Sequence, residues 1–438
     1  MNTTKALVLV DPVTDWKPVV DAAHDQNYTV IALQLPPVSP KFSKFVPSSN
    51  TLIDAGVSQT LLMEQRDIFS SLQNLQILSL ERDLVIVGVI PLSEVAVEVS
   101  DILSAGLGLP HNPLDLMTAR RDKGLMKGAV LSAGLRVAKH ARVDTIEHLC
   151  MAVRQMSLSY PVVVKTPSGM STSDVYICAD ENESSSALDC IIGNIGPDGR
   201  SVSHVLLEEF IAGTEFALNL MAFQSNSEEV DIHDSTSNHT RFLLTDMWKY
   251  NKNERARYES AEICNPGDYP ELVAYAIDVA RAVGIRYGAA HVELKSIFGE
   301  DGLYKNPTMI EVGARLSGGR KSILAKEAIP NWNPFIALIQ SHCGGPCPVS
   351  FVRHLTPKKF VRHIFLPVEK PGRITKFEFS DSCLGTYHSS ARILQVGDIV
   401  RETTDILSHA GFVWLVGAKD EVDRDTKKLL SSYILTTE

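Results

Sequence analysis

Residues 287–320 read YGAAHVELKSIFGEDGLYKNPTMIEVGARLSGGR, and both ends of this stretch have the pattern of a β-strand. At the first end Val292 and Leu294 alternate with more polar residues, and at the second end Ile310 and Val312 do the same. Side chains of a strand point alternately to opposite faces, so each strand is predicted to bury its aliphatic pair. The intervening segment contains Gly, Asp, Asn and Pro, which is typical of a hairpin connection.

The predicted hairpin places Glu293 and Glu311 side by side on its polar face. Two adjacent carboxylates repel each other unless a cation or a proton lies between them. Carboxylate oxygens, completed by phosphate oxygens, suit Mg²⁺ or Mn²⁺. Taken alone, the pattern leaves two interpretations open: a metal site, or two solvated glutamates on an exposed sheet face.

Length and composition indicate a multidomain globular protein. The 438 residues exceed one ordinary hydrophobic core and predict about two to four domains. The net charge of −10 disfavours nucleic acid or an anionic membrane as a partner, and no apolar run approaches the ~20 residues of a membrane span. Seven scattered cysteines are typical of reduced thiols, so we expect a cytoplasmic protein.

The order of apolar segments predicts the architecture. Strand-like runs at 5–10, 28–33 and 83–89 are separated by helical or loop segments, which favours a parallel α/β sheet in the first ~115 residues. No GxGxxG follows the first run, which argues against a dinucleotide site. A strand is also predicted over 135–140. From about residue 346 shorter strand-rich segments predict a small, separate α+β domain.

Two lysines are candidates for phosphate binding. Lys123 lies in the basic stretch 119–127, for which a solvated helix start is the ordinary explanation. Lys165 ends the aliphatic run 160–165 and precedes a hydroxyl-rich loop, a setting suited to phosphate. The same position is equally typical of a strand-end lysine that reaches water.

Taken in order, these segments resemble the ATP-grasp superfamily and, within it, the L-amino acid ligase (dipeptide synthetase) group. The resemblance implies a multidomain α/β and α+β fold of the ATP-grasp type, with four units. These are an N-terminal α/β domain (1–115), a lid subdomain (116–207), a central subdomain with the metal and ATP site (208–345) and a C-terminal α+β domain (346–438). The segments that carry it are 89–94, 108–113, 121–123, 160–165, 208–215, 291–295 and 310–315.

The resemblance also implies site residues. Arg315 and Lys165 are the implied catalytic residues, with Arg315 steadying an acyl phosphate and the tetrahedral intermediate formed from it. Further substrate contacts are expected from His291, Ser317, Gly318, Gly319 and Trp332, with Trp248, Lys249 and Tyr250 as further candidates. The implied ligands of ATP and metal are Lys123 and Lys165 for phosphates, Ser171 for the phosphate loop, Glu208, Glu209 and Ile211 for adenine, Glu215 for ribose, and Glu293 and Glu311 for metal.

The implied activity is that of an ATP-dependent carboxylate–amine ligase. It would join an amino acid to another amino acid or amine through an acyl phosphate, with ATP and two Mg²⁺ or Mn²⁺ ions, and a homodimer is an expected assembly. The alternatives are a biotin-carboxylase-like or purine-biosynthesis-like enzyme, or a catalytically silent nucleotide-binding regulator. A silent regulator would be expected to lose Lys165, Glu293, Glu311 or Arg315, and all four are present.

Two features depart from the pattern that the resemblance implies. The superfamily often has an asparagine two residues after the second metal glutamate, and this chain has Gly313 there. The phosphate loop 166–174 contains one glycine where many relatives have several. Hydroxyl groups are expected to supply donors instead, from Ser168, Ser171, Thr172 and Ser173.

Overall fold

The computed structural model of the chain describes residues 4–36, 45–169, 174–196, 199–224, 240–253, 257–349 and 353–438. In its first part, strands and helices alternate. The elements are β1 (Thr4–Val10), α1 (Trp16–Asp25), β2 (Thr29–Gln34), α2 (Ser49–Asp54), β3 (Gln59–Leu62), α3 (Ile68–Glu81), β4 (Leu84–Pro91) and α4 (Val97–Gly106). The strands form a parallel sheet in the order β3-β2-β1-β4, which confirms the predicted α/β architecture.

A second unit is built on a small antiparallel sheet. After α5 (Lys123–Ser132) come β5 (His140–Val143), α6 (Ile146–Gln155), β6 (Val162–Lys165), β7 (Val175–Cys178), α7 (Glu181–Ile191) and β8 (Val205–Glu209). The sheet order is β5-β8-β6-β7, and helices α6 and α7 pack with it around their own apolar cluster. We call residues 140–209 the small-sheet unit. The strand predicted over 135–140 lies a few residues later, and the expected boundary at 207/208 falls inside β8.

The rest of the chain is organised by one large sheet. Its order is β13-β12-β9-β10-β11-β14-β18-β16, and a smaller sheet has the order β17-β15-β19. The elements are β9 (Thr214–Gln224), β10 (Thr240–Lys252), β11 (Tyr258–Cys264), α8 (Pro270–Ala282), β12 (Gly288–Phe298), β13 (Tyr304–Gly313), α9 (Lys321–Ala328), α10 (Pro334–His342), β14 (Phe360–Leu366), β15 (Gly372–Glu378), β16 (Tyr387–Arg392), β17 (Ile399–Val400), β18 (Gly411–Gly417), α11 (Lys419–Ser432) and β19 (Ile434–Thr437).

The C-terminal strands are continuous with the central sheet. The expected separate domain at 346–438 does have a hydrophobic cluster of its own. However, β14 pairs with β11, and β18 and β16 follow it in the same sheet. Pairing removes the edge that β11 would otherwise expose, since an unpaired edge leaves a row of backbone donors and acceptors open. The C-terminal segment is therefore not detached from the sheet that carries the hairpin.

The predicted hairpin is confirmed, with one difference in which residues of its second strand face the core. Strands β12 and β13 are antiparallel, and Glu293 is the direct partner of Glu311. The register shifts after this pair, so that Leu294 faces Met309 and Ile310 is the extra residue. The predicted alternation in β13 is therefore wrong at this point, because the bulge sends Met309 into the core and leaves Ile310 partly exposed.

Packing beneath the hairpin fixes its orientation. The helix α8 and the core faces of β9 and β12 share one apolar cluster, to which α5 contributes Met126 and Val130. Gly284 ends the helical segment with a positive φ of 75°, as expected for a residue just past a helix. Within the described part of the chain, every helix is too short or too polar to cross a lipid bilayer.

Candidate active site

A cavity lies where the small-sheet unit faces the carboxylate face of the hairpin. Its walls include Lys165 and Glu208 from the small-sheet unit, Glu293 and Glu311 from the hairpin, and Arg315 from the segment after it. These residues come from three separate stretches of the chain. The structure therefore brings together most of the side chains that the sequence singled out.

The two glutamates of the hairpin form the floor of this cavity. Lys123 Nζ lies 2.9 Å from Glu311 Oε2, and His291 Nε2 lies 3.1 Å from Glu293 Oε1. Burial would raise the pKa of Glu311, but the nearby ammonium groups, Lys123 foremost and Lys165 with it, together lower that pKa. Each carboxylate therefore lies beside a nitrogen group of the protein.

The start of α5 determines where Lys123 points. The Asp122 side chain accepts hydrogen bonds from the backbone amides of Gly124 and Leu125 and so caps the helix. Lys123 is the first residue of that helix and also donates to the Gly169 carbonyl at 2.7 Å. Lys123 itself is thus not solvated, because it is only 6% exposed.

Glu208 pairs with two lysines, Lys165 and Lys127, and only Lys165 was predicted to lie in the site. Lys165 Nζ and Lys127 Nζ lie 2.9 and 3.0 Å from Glu208 Oε1. Burial would raise the pKa of Glu208, but the two ammonium groups lower it. Lys127 also donates to the Ile310 carbonyl at 2.9 Å, and burial lowers the pKa of Lys127 to about 8. Its position four residues after Lys123 on one helix face was the available signal.

The first part of the phosphate loop is held against α5 by backbone carbonyls. Arg121 donates to the Ser168 carbonyl at 3.1 Å, and the Lys123 amide donates to the Pro167 carbonyl at 3.0 Å. Ser168 thus holds the loop through its backbone carbonyl, and its hydroxyl as a phosphate donor stays a prediction. The remaining residues expected to donate hydroxyls lie outside the described residues: Ser171, Thr172 and Ser173.

The residues expected at adenine and ribose also line the cavity. The two carboxylate oxygens of Glu215 accept from Lys252 Nζ and from the Tyr258 hydroxyl, each at 2.8 Å. The Ile211 carbonyl accepts from Lys295 Nζ at 3.0 Å. Glu209 lines the cavity too, and its side chain accepts from the Lys139 amide at 3.2 Å.

Arg315 is anchored by a carboxylate from the N-terminal domain. Arg315 Nε lies 2.6 Å from Glu94 Oε2, and Arg121 lies 2.8 Å from the other oxygen of Glu94. Burial would raise the pKa of Glu94, but the two guanidinium groups lower it to about 2. A β-carbon built on Gly313 would lie 3.1 Å from Glu94 Oε2. A glycine at 313 therefore leaves room for the Glu94–Arg315 pair, where a larger side chain would press on it.

His291 belongs to a buried hydrogen-bonded chain behind Glu293. Its Nδ1 lies 2.8 Å from Asn219 Oδ1, and Asn219 Nδ2 donates to Asp246. Asp246 also accepts from Thr245 and from the indole of Trp248, so its oxygens orient the Asn219 amide. That orientation makes Asn219 Oδ1 the acceptor and His291 Nδ1 the donor. These hydrogen bonds thereby fix the ring plane of His291 beside Glu293.

The remaining candidates divide between cavity and core. Gly318, Gly319 and Tyr250 line the cavity. Trp332 is 3% exposed and packs in the hydrophobic cluster with the N-terminal domain, so the structure places it in the core and away from the expected substrate contact. Other residues also lie away from the cavity walls: Ser317 is buried, Trp248 bonds to Asp246, and Lys249 lies over the Tyr304 ring.

Comparisons with known proteins find a matching domain family and relatives in sequence and fold. The ATP-grasp domain family matches residues 158–322. Over 434 residues the chain is 24% identical to dapdiamide A synthase from Enterobacter agglomerans, covering 94% of this chain and 92% of that protein.

Solved structures with the same fold cover the whole chain. The L-amino acid ligase from Bacillus licheniformis superposes with a TM-score of 0.73 at 18% identity, covering 100% of both chains. The biotin carboxylase domain of a 2-oxoglutarate carboxylase from Hydrogenobacter thermophilus, solved with MgADP and bicarbonate, gives a TM-score of 0.63 at 14% identity and covers 98% of this chain and 90% of that one. Residues 158–322 therefore match an ATP-grasp domain, and the whole chain has the fold seen in the L-amino acid ligase.

Proposed function

We propose that this protein is an ATP-dependent ligase that joins the carboxylate of an amino acid to the amine of another amino acid or of a related compound. One observation carries the proposal. The register-paired glutamates, the lysines Lys123 and Lys165, and Arg315 face one cavity. The similarity to dapdiamide A synthase and to an L-amino acid ligase supports an amide-forming reaction on this scaffold.

The donor set on the hairpin fits magnesium bound together with a nucleotide. Glu293 and Glu311 supply two hard carboxylates, and no cluster of three or more His, Cys, Asp or Glu ligands occurs among the residues the structure describes. A shell completed by phosphate and water oxygens is the arrangement that Mg²⁺ prefers. When bound there, one or two ions would neutralise charge on the phosphates.

The nucleotide is proposed to lie along the cavity from the adenine end to the hairpin. The backbone at Glu209–Ile211 would bind adenine, and Glu215 would accept from the ribose hydroxyls, in exchange for its present bonds to Lys252 and Tyr258. Lys123 and Lys165 would contact the phosphates. A lysine ammonium suits this task because it can follow a moving phosphoryl group without fixed geometry.

The reaction that fits these groups has two steps. A substrate carboxylate oxygen attacks the γ-phosphorus of ATP, which forms an acyl phosphate and ADP while the lysines stabilise the phosphate charge. The amine then attacks the acyl carbon and phosphate leaves, with Arg315 beside the tetrahedral intermediate. We propose that the small-sheet unit is a lid that keeps water from the acyl phosphate, since that intermediate otherwise hydrolyses.

The proposed function is tested by mixing the protein with ATP, Mg²⁺ and pairs of the twenty common L-amino acids. ADP and phosphate should be released only with productive pairs, and mass spectrometry should detect the ligated product. Release that requires bicarbonate would favour a carboxylase-like enzyme instead. Tight ATP binding with no turnover in any mixture would favour a silent nucleotide-binding protein.

Asn219→Ala should weaken metal binding, because it breaks the chain that orients His291 beside Glu293. The Mg²⁺ concentration for half-maximal activity is expected to rise about 10- to 100-fold. Binding of Mn²⁺ in the presence of ADP, followed by the signal of free Mn²⁺ in electron paramagnetic resonance, should weaken to a similar extent. Asn251→Ala, on the adjacent strand β10, is the control, since its side-chain amide donates to the Ser260 hydroxyl. Equal Mn²⁺ affinity in the two variants would contradict the assigned role.

A further inference from the structure

Lys321 is a buried cation without a counter-ion in the described structure. It begins α9, lines the cavity and is 5% exposed. No carboxylate of the described residues lies within ion-pair distance of its ammonium. Its contacts are a long hydrogen bond of 3.4 Å to the Gly318 carbonyl and the ring of Tyr250, whose centroid lies 5.3 Å from Nζ. A buried ammonium is costly unless an anion compensates it.

Other cations of the cavity are compensated. Lys123 pairs with Glu311, Lys165 with Glu208, Lys252 with Glu215 and Arg315 with Glu94. Lys295 also lacks an ion pair within the described residues, but it donates a 3.0 Å hydrogen bond to the Ile211 carbonyl at the adenine end. Lys321 is different because it lies on the reacting side, where Glu293, Arg315, Asp246 and Asp15 are its charged neighbours.

His363 is the second polar group of this region that lacks a partner. It lies on β14, is 2% exposed and lines the cavity. Neither ring nitrogen has a hydrogen-bond partner among the residues that the structure describes. The ring stacks on Phe365 at 4.2 Å between centroids and meets Phe412 edge-on at 5.2 Å. Burial, with Lys321 and His409 nearby, lowers the pKa of His363 well below its usual range, so the neutral ring offers one donor and one acceptor.

The two side chains meet above Gly319. A β-carbon built on Gly319 would lie 3.5 Å from Lys321 Nζ and 3.4 Å from His363 Cε1. The backbone of Gly319 has a φ of 71°, which favours glycine, and the absence of a side chain keeps the space between the two groups open. An ammonium and an imidazole N–H that share one small space are suited to a carboxylate.

We propose that Lys321 and His363 bind the carboxylate of an α-amino acid that serves as the amine partner. This assignment rests on the proposed ligase function. The carboxylate that becomes activated loses its charge as the acyl phosphate forms, whereas the carboxylate of the amine partner stays ionised throughout and needs a permanent cation. In an α-amino acid one carbon separates amine and carboxylate, so anchoring the carboxylate near Arg315 brings the amine to the acyl carbon. Amines without this carboxylate are therefore poor substrates.

The test compares the amine partner found in the pairwise screen with its α-carboxamide. In the wild-type protein the amide should have a KM about 10- to 100-fold higher than the free acid, as expected for loss of a charged hydrogen bond. In Lys321→Met the KM of the free acid should rise by a similar factor, and the KM of the amide should change little. The preference for acid over amide therefore collapses to about 1, with the KM for ATP unchanged.

Control variants separate this role from a loss of folding. Lys326→Met removes an exposed lysine of the same helix and should keep the full preference for the acid. His363→Phe keeps the aromatic stack and should also reduce the preference, whereas His363→Gln or His363→Asn should restore part of it if one ring nitrogen is the donor.

Three outcomes would overturn the proposal. Ligation with equal use of acid and amide by the wild type, or an undiminished preference in Lys321→Met, would overturn this subsite and leave the ligase function standing. Absence of ADP release with every amino acid pair would overturn both.

Discussion

Glu311→Ala is expected to lower the rate of ADP release by about 1,000-fold or more, while the protein remains folded. The substitution removes one of two carboxylates that would hold the metal and leaves Lys123 without its 2.9 Å partner. A loss of 1,000-fold corresponds to about 4 kcal/mol of transition-state stabilisation, a size reasonable for disrupting metal-assisted charge neutralisation. The measurement is kcat for ADP release at saturating Mg²⁺, with the thermal midpoint as the check on folding.

A matched control lies in the same hairpin. Glu300→Ala removes an exposed carboxylate from the connection between β12 and β13 and should leave kcat unchanged. If Glu311→Ala were to keep more than about a tenth of the wild-type rate, its role at the metal site would have to be abandoned.

Arg315→Met is expected to reduce kcat by about 100- to 1,000-fold, which is the range for removing one donor from a developing oxyanion. The KM for ATP should change little, because Arg315 lies at the reacting end. Arg315→Lys should recover only part of the rate, since an ammonium lacks the planar fork of a guanidinium. Single-turnover ADP release with the substrates found in the screen is the direct measurement.

The pairing of Glu94 with Arg315 calls for a second variant, which compares effects on stability with effects on activity. Arg315→Met leaves Glu94 with Arg121 as its remaining partner, and breaking buried pairs often costs about 3–5 kcal/mol of stability. The double variant Glu94→Gln/Arg315→Met also leaves the buried Arg121 without its carboxylate partner, so it should recover neither stability nor activity. Recovery of both would mean that Arg315 acts only through folding.

Local pattern was sufficient to predict the hairpin and its paired glutamates. Alternation, turn residues and buried aliphatics are all encoded within 34 residues (287–320), and the observed register pairs Glu293 with Glu311. The face of the sheet to which Ile310 points could not be predicted, because a bulge arises from how two strands pair rather than from the preference of either strand. That bulge turns the Ile310 side chain to the cavity and its carbonyl to Lys127.

Contacts between segments far apart in the chain could not be predicted from the sequence. Nothing in the sequence around Glu94 indicates that it pairs with Arg315. Only the packing of the N-terminal domain against the hairpin brings the two side chains within 2.6 Å of each other. His363 was missed for the same reason, as β14 reaches the cavity only by joining the central sheet through β11. The burial of Lys321 likewise depends on packing that the sequence does not show. Trp332 shows the opposite error, since an aromatic residue near a candidate loop proved to be core.

The transfer of oxygen tests the central claim most directly. The carboxylate substrate is labelled with ¹⁸O in both oxygens, and the phosphate released during ligation is analysed by mass spectrometry. Attack of the carboxylate on ATP followed by expulsion of phosphate predicts one ¹⁸O atom in each phosphate, with ADP as the nucleotide product. Unlabelled phosphate, or AMP with pyrophosphate, would contradict an acyl phosphate formed in this cavity.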